Sequence, residues 1–322
     1  MRKTTLLLPL VLAAILTPLA LAGAPRPVTV MLDWTPNPDH VGLYDARETG
    51  LFARAGLDVT IRAPSDPTTP LKLVGAGRTD LAVSYEQELF FAAAKKLPVV
   101  AVAAVVAQPL NSFMAIEPQI HSLRDLKRRT IGITGVPSDY ATLDTALHSA
   151  GLTRKDVKVV TVGYNLLPAL LAHRVDAVLG VYRNVEGVQL QLRGLHPTII
   201  PVDRAGVPTY DELVLVASRT RLHDDPAYRS MVKRFVGAFL TGTAEARAHP
   251  QRALTILKKV TASDAAFLAR ATPATLRLLG DGCLHVRAWQ RFGDWMHAQR
   301  LLRTTIPATR VADASYLPSR CR

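Results

Sequence analysis

The sequence predicts an α/β protein of two lobes, each a mostly parallel sheet covered by helices, with a ligand cleft between them. Three observations carry this expectation. Short β-branched runs alternate with helix-patterned stretches through the first two thirds of the chain. The 322 residues exceed what one hydrophobic core comfortably holds. One unit also recurs: "GRTDLAVSYEQE" from Gly77 and "HRVDAVLGVYRNVE" from His173 each follow an apolar helix and carry Arg-x-Asp, a buried strand, a tyrosine and a glutamate. A chance match of two strand–helix units is the plain alternative. Two similar lobes face to face would set Tyr85 and Tyr182 at a shared cleft, because open parallel sheets bind ligands beyond the carboxyl ends of their strands.

The elements follow in order. Residues 1–22 have a positive start, an apolar run from Leu6 and small residues at Ala20 and Ala22. They read as a secretory signal cut after Ala22; Pro9, Pro18 and the short length count against a membrane anchor. No cysteine stands at the cut for a lipid anchor, so the expected product is a periplasmic protein. "VTVML" (28–32) is a strand and "LYDARETGLFARAG" (43–56) a helix ending at Gly56. "LDVTIRA", "DLAVSY" (80–85) and "PVVAVAAVV" are strands, with "TTPLKLVGAG" and "QELFFAAAKK" helical between them. The middle repeats the scheme with strands "RTIGITG", "DVKVVTV" and "VDAVLGVY" and helices "YATLDTALHSAG" and "NLLPALLAHR". "ELVLVAS" (212–218) is a further strand. From Asp224 the pattern is almost wholly helical, with Pro250 at a helix start.

Composition excludes several functions. The formal charge of +13 includes Arg2 and Lys3, and the rest is scattered. The one dense run, Lys127-Arg128-Arg129, has no aromatic residues interleaved, which argues against nucleic acid and supports only a mild attraction for anions. The nine histidines form no His-x-His or His-x-x-x-His pair, so no metal site is indicated. "GAG" (75–77) follows a helix and precedes a strand, the wrong order for a dinucleotide fingerprint. No catalytic motif is written locally and no cofactor is implied. Cys283 and Cys321 are enough for one bridge in an oxidising compartment, and are expected to pin the tail near 283.

The candidate site begins at Trp34. A tryptophan after a strand is either packing or a flat platform on which an aromatic ligand stacks. Asn37 and His40 share its loop, although a lone histidine is more often structural. "TGVPSDYAT" (134–142) joins a strand to a helix; Ser138 or Asp139 is a natural N-cap, and the free N–H groups there also suit a polar ligand. "YRNVEG" (182–187) sets a tyrosine, Asn184 and Glu186 on one short loop. Its carboxylate either takes a ring N–H and an exocyclic amine together or is simply solvated.

These residues resemble a known group. "LDWTPNPDHVGLYDARETGLFARAGLDV" is similar to the opening of pyrimidine-precursor-binding proteins of thiamine-salvage ABC transporters, a group shared with fungal thiamine-pyrimidine synthases. "GRTDLAVSYEQE", "IGITGVPSD", "DAVLGVYRNVEG" and "PTYDELVLVAS" look like the same group in the same order. The resemblance implies a type II periplasmic-binding-protein fold, with crossings near 114–117 and 214–219. One lobe would be 27–114 plus 219–322 and the other 115–218. It implies a monomer that binds an aminopyrimidine and meets an ABC permease, and no enzyme. Trp34 with Tyr85 or Tyr182 would sandwich the ring, Glu186 would take its edge, and Asn37 or Asn184 would orient it. Ser84, Pro137, Ser138, Tyr210 and His40 complete the candidate set. Two departures stand out. Arg183 occupies a position often aromatic in the group. "SYEQE" and "ELVLVAS" lack the lysine, histidine and cysteines that the synthases carry there, which counts against the enzymatic branch. The nearest rival ligand is riboflavin or another flat or sulfonated nutrient.

Overall fold

The computed structural model describes residues 24–321, so the expected signal segment lies outside the described residues. The chain opens with β1 (Arg26–Met31), α1 (Val41–Glu48), α2 (Leu51–Arg54), β2 (Leu57–Arg62), α3 (Thr69–Gly75), β3 (Leu81–Ser84), α4 (Glu86–Ala94) and β4 (Val99–Val106). It continues as β5 (Asn111–Ala115), β6 (Thr130–Ile133), α5 (Pro137–Ser149), β7 (Lys158–Thr161), α6 (Leu166–Leu171), β8 (Ala177–Tyr182), α7 (Glu186–Leu192) and β9 (Thr198–Pro201). It closes with β10 (Leu213–Ser218), α8 (Arg219–Asp224), α9 (Pro226–Ala248), α10 (Pro250–Val260), α11 (Ala265–Leu276) and α12 (Val286–Ala298). The expected helix over 43–56 is broken at Gly50, whose left-handed φ of 75° separates α1 from α2.

Two five-stranded sheets result, ordered β2-β1-β3-β10-β4 and β7-β6-β8-β5-β9. They are mixed rather than mostly parallel. β1 lies parallel to β2 and β3, and β6 to β7 and β8, while β10 and β5 run antiparallel to both of their neighbours. Each antiparallel strand adjoins a passage between lobes. Thus β5 already belongs to the second sheet and β10 has already returned to the first. The crossings fall at 107–110 and 205–212, earlier than the expected 114–117 and 214–219. Local sequence marks an apolar run as a strand, but only long-range pairing, such as Val214 with Ser84, decides which sheet it joins.

The repeated Arg-x-Asp unit is one structural device used twice. The Thr29 amide donates to Asp80 Oδ2 (2.9 Å) and the Asp80 amide to the Thr29 carbonyl (3.1 Å). In the other lobe the Thr130 amide donates to Asp176 Oδ2 (2.7 Å) and the Asp176 amide to the Thr130 carbonyl (2.8 Å). Each unit leaves its preceding helix through a left-handed residue, Gly77 (φ 68°) or His173 (φ 50°). The next amide then closes on a helix carbonyl, Arg78 on Leu73 and Arg174 on Ala169, which ends the helix by a 6→1 hydrogen bond.

The first lobe holds the larger core. Asp225 caps α9 by accepting from the Tyr228 amide (2.9 Å), with Pro226 in the first turn. α9 then buries Tyr228, Met231, Phe235 and Phe239. It crosses α1 where a Cβ on Gly242 would stand 2.6 Å from the Gly42 carbonyl oxygen and 2.7 Å from Ala46 Cβ, so only glycine lets the helices meet. The C-terminal tail lies along β4, with the Ala101 amide on the Val311 carbonyl and the Asp313 amide on the Ala101 carbonyl. A disulfide joins Cys283 to Cys321, Cα atoms 4.8 Å apart, and ties that tail to the segment before α12.

Candidate functional site

Beyond the carboxyl end of β1 the chain turns sharply. Asn37 accepts from the Asp39 amide (2.8 Å) and Pro38 begins a single 3-10 turn. His40 Nδ1 accepts from the Asn37 amide (3.3 Å), which places the ring proton on Nε2, 2.8 Å from Asp33 Oδ1. The imidazole therefore donates to Asp33 and closes the loop from behind. Asp33 Oδ2 accepts from the Tyr85 hydroxyl (3.1 Å), and the Asp33 carbonyl from the Tyr164 hydroxyl (3.0 Å). The Trp34 and Tyr164 rings meet edge to face, 4.2 Å apart at 78°.

The opposite wall comes from the second lobe and the second crossing. Glu186, the first residue of α7, accepts from the Tyr182 amide at Oε2 (2.7 Å). Asp139 accepts from the Thr134 hydroxyl (2.6 Å) and the Gly135 amide (2.7 Å). Glu212 Oε2 accepts from the Leu110 and Asn111 amides (2.7 and 2.8 Å) and from the Tyr210 hydroxyl (2.9 Å). Its Oε1 faces the Tyr182 hydroxyl at 3.4 Å. Glu212 thereby fastens the two crossings to each other at the floor of the slot. Gly180, with a left-handed φ of 100°, keeps the wall flat, since a Cβ there would lie 3.0 Å from Thr134 Cγ2.

Asp33, Asp139, Glu186 and Glu212 all line this slot, together with Trp34, Tyr85, Tyr182 and Tyr210, and among the described residues no lysine or arginine lines it. Desolvation raises Glu186, Asp139 and Glu212 each to about 7, outweighing the hydrogen bonds that pull them down. Aromatic walls with acceptors and no resident cation suit a flat ligand rich in N–H donors or carrying positive charge.

The lobes are tied across the slot. Glu88 of α4 accepts from the Ser138 amide of α5 (2.8 Å), and the Thr142 hydroxyl donates to Gln87 (3.3 Å). Behind the Trp34 loop, Asn184 Nδ2 donates to Asp39 (2.7 Å) and to Thr275 of α11 (2.9 Å). Burial raises Asp39 to about 6, and its Oδ2 and the Asn184 Oδ1 have no hydrogen-bond partner.

Of the candidate residues, Trp34, Asn37, Tyr85, Ser138, Tyr182, Glu186 and Tyr210 line the slot. Ser84 and Pro137 instead line an adjoining cavity. His40 and Asn184 line neither: His40 is fully buried behind Asp33, and Asn184 bridges the lobes. Neither Ser138 nor Asp139 is an N-cap, because α5 starts at Pro137, one residue before Ser138, after Val136 in extended conformation. Arg183 turns its guanidinium to the Pro109 carbonyl in the first crossing. Asp33, Asp139, Glu212 and the bracing Tyr164 were not singled out by sequence reasoning as ligand residues. Asp33 and Glu212 sit inside the quoted stretches, yet nothing local sets them apart from ordinary loop carboxylates.

Two α/β lobes joined by paired crossings, with a narrow slot where they meet, define a protein of the periplasmic-binding-protein fold. Solved structures agree. The alkanesulfonate-binding protein SsuA from Xanthomonas axonopodis pv. citri superposes with a TM-score of 0.71, covering 90% of this chain and 98% of that one at 17% identity. The aliphatic sulphonate binding protein SsuA from Escherichia coli gives 0.65, over 89% and 91%, at 16%. Within this fold the chain belongs to the NMT1/THI5-like family, whose model matches residues 37–253. A Haemophilus influenzae protein named for thiamine biosynthesis is 39% identical over 231 residues, 71% of this chain and 72% of its own. The formylaminopyrimidine-binding protein of Halalkalibacterium halodurans is 39% identical over 232 residues, 71% and 69%. A 4-amino-5-hydroxymethyl-2-methylpyrimidine phosphate synthase of Uromyces fabae is more distant, 27% identical over about half of each chain.

Proposed function

We propose that this protein captures a thiamine-related aminopyrimidine outside the cytoplasm and delivers it, as a monomer, to the permease of an ABC importer. The observation that carries the reading is the slot: aromatic walls, four carboxyl groups and no basic side chain. An aminopyrimidine offers a flat face for Trp34 and the tyrosines, and an N–H edge for Glu186. Oε2 of Glu186 already holds the Tyr182 amide, which fixes the carboxylate at the wall of the slot. The 39% identity to a formylaminopyrimidine-binding protein supports the same ligand class. A sulfonate fits poorly, because an anion would enter a site of carboxylates with no cation to meet it.

Binding rather than catalysis also fits the lining. It contains neither lysine nor cysteine, so nothing in it forms a Schiff base or a thiolate nucleophile. The contacts Glu88–Ser138 and Asn184–Asp39 would form as the lobes close, making the closed surface the one a permease reads. Calorimetric titration of the purified chain with formylaminopyrimidine tests the reading. A one-to-one isotherm, weakened at least tenfold by Trp34→Ala, is expected. Absence of binding heat across several temperatures, with no shift in Tm, would overturn it.

A further inference from the structure

Behind the Tyr85 side of the slot lies a second, roomier cavity of ≈ 430 Å³, against ≈ 30 Å³ for the slot itself in this closed arrangement. The two share walls: Asp33, Tyr85 and Val136 line both. Their chemistry differs. The second cavity is apolar along α3, β3, α4 and the turn after α4, where Leu71, Val83, Phe91 and Leu97 line it. Of its two carboxylates, Asp33 is held by His40 and the Tyr85 hydroxyl and Glu88 by the Ser138 amide. Its basic groups are Lys72 and Lys95, both exposed at the rim, and Lys72 is steadied by Thr68 (2.9 Å).

A ring seated in the slot therefore adjoins an apolar chamber that ends in two cations. We propose that this chamber is a second subsite, and that it receives the ring's substituent: an apolar extension ending in an acidic group. The inference rests on the aminopyrimidine reading of the slot and deepens it. The complete ligand is then bipolar, with an N–H-rich head among carboxylates, an apolar middle against Phe91 and Leu97, and an anionic tail at Lys72 and Lys95. A ligand with no such extension fills the slot and leaves the chamber to water, giving up the apolar contact it offers.

The test compares two probes by calorimetry: 4-amino-5-hydroxymethyl-2-methylpyrimidine, and the same ring bearing at C5 a five-carbon chain ended by a carboxylate. The extended probe is expected to bind at least tenfold tighter. Ala92→Phe, which fills the chamber, should abolish that gain while leaving the short probe's affinity within twofold. The surface pair Lys72→Gln/Lys95→Gln keeps the test open if Ala92→Phe does not fold. It should cut the extended probe's affinity about fivefold and remove most of its salt dependence. Equal or weaker binding of the extended probe, with the short probe binding well, would overturn the subsite and leave the slot's function standing. Failure of both probes to bind would overturn the two together. An extended probe whose gain survives both variants would also overturn it, since the chain must then lie elsewhere.

Discussion

The two lobes begin from the same design and put it to different uses. In each, an aspartate brackets a threonine of the leading strand, and the strand that follows runs out to a tyrosine and a glutamate. In the first lobe the glutamates after Tyr85 do not line the slot. Glu86 accepts from the Asp211 amide of the returning crossing (2.7 Å), and Glu88 from the Ser138 amide of the opposite lobe. In the second lobe Glu186 folds back on its own strand at Tyr182 and lines the slot. One copy ties the crossing and the opposite lobe; the other lines the slot. What separates them is the partner that long-range topology delivers to the same local turn.

The lobes differ most in how they are fastened. A disulfide closes 38 residues at the edge of the first lobe, and among the described residues the second has none. Cys283→Ser with Cys321→Ser should cost about 2–4 kcal/mol, read as a fall in Tm, because the unfolded chain regains the freedom the bridge removes. The slot lies between the lobes rather than at the bridge, so ligand affinity near room temperature should change less than threefold. A variant with unchanged Tm would mean that the strand-like contact of the tail along β4 holds it unaided.

The paired glutamates supply the next contrast. Glu186→Gln puts an N–H2 donor where the slot wall has a carboxyl oxygen that can accept from a ring N–H, and under the aminopyrimidine reading should weaken binding by roughly 10- to 100-fold, on the order of 1.5–3 kcal/mol. Tm should change little. Glu86→Gln is expected to do almost nothing to affinity. Burial raises Glu86 well above its ordinary value and so favours its neutral form, for which glutamine is nearly isosteric. Equal losses from the two variants would erase the distinction between bracing and ligand-facing carboxyls.

Acidity sharpens the same point. Glu186 and Glu212 stand at about 7 in the folded protein against 4.5 as ordinary carboxyls. Between those values the folded state holds protons that the unfolded chain has released. Their contribution to stability is therefore full below about 4.5 and lost as pH rises through about 7. The ligand-free protein should melt at a lower temperature at pH 8 than at pH 5.5, and Glu186→Gln should flatten that slope. A slope of the opposite sign would mean that the slot carboxyls are ionised and stabilised without ligand.

The sequence made the layered α/β design legible because alternation of apolar runs and helical periodicity is a local signal. The Arg-x-Asp echo was legible for the same reason, being confined to a dozen residues. Strand order was not: β10 is an ordinary apolar run, but its sheet is set by partners as distant as Leu81, which pairs with Ala217, and β5 (NSFMA) carries too little apolar pattern to read as a strand at all. The site divides likewise. Trp34, Tyr182 and Glu186 announce themselves as aromatic and acidic residues at strand ends. Glu212 does not, since its role depends on the Leu110 and Asn111 amides, 102 and 101 residues distant. Asn184 was legible as a polar loop residue but not as a tie between lobes, because Asp39 and Thr275 reach it only through tertiary folding.

The smallest effect separates the two copies of the aspartate bracket. Asp80→Ala and Asp176→Ala each take a side-chain acceptor from a strand amide, of Thr29 or Thr130, and each should cost about 1 kcal/mol in chemical denaturation. The copies are not equally supported. Asp80 also meets the Arg221 guanidinium (3.0 Å), which lies over the Tyr228 ring 3.9 Å from its centroid, whereas Asp176 has the longer contact with Arg129 (3.4 Å). Asp80→Ala should therefore be the more destabilising by a few tenths of a kcal/mol, and raising the salt concentration should narrow the gap, because both ion pairs are partly exposed. Identical losses at low salt would show that the strand amide carries the whole effect and that the arginines add nothing. No loss in either variant would mean that the bracket follows from the turn geometry instead of holding it.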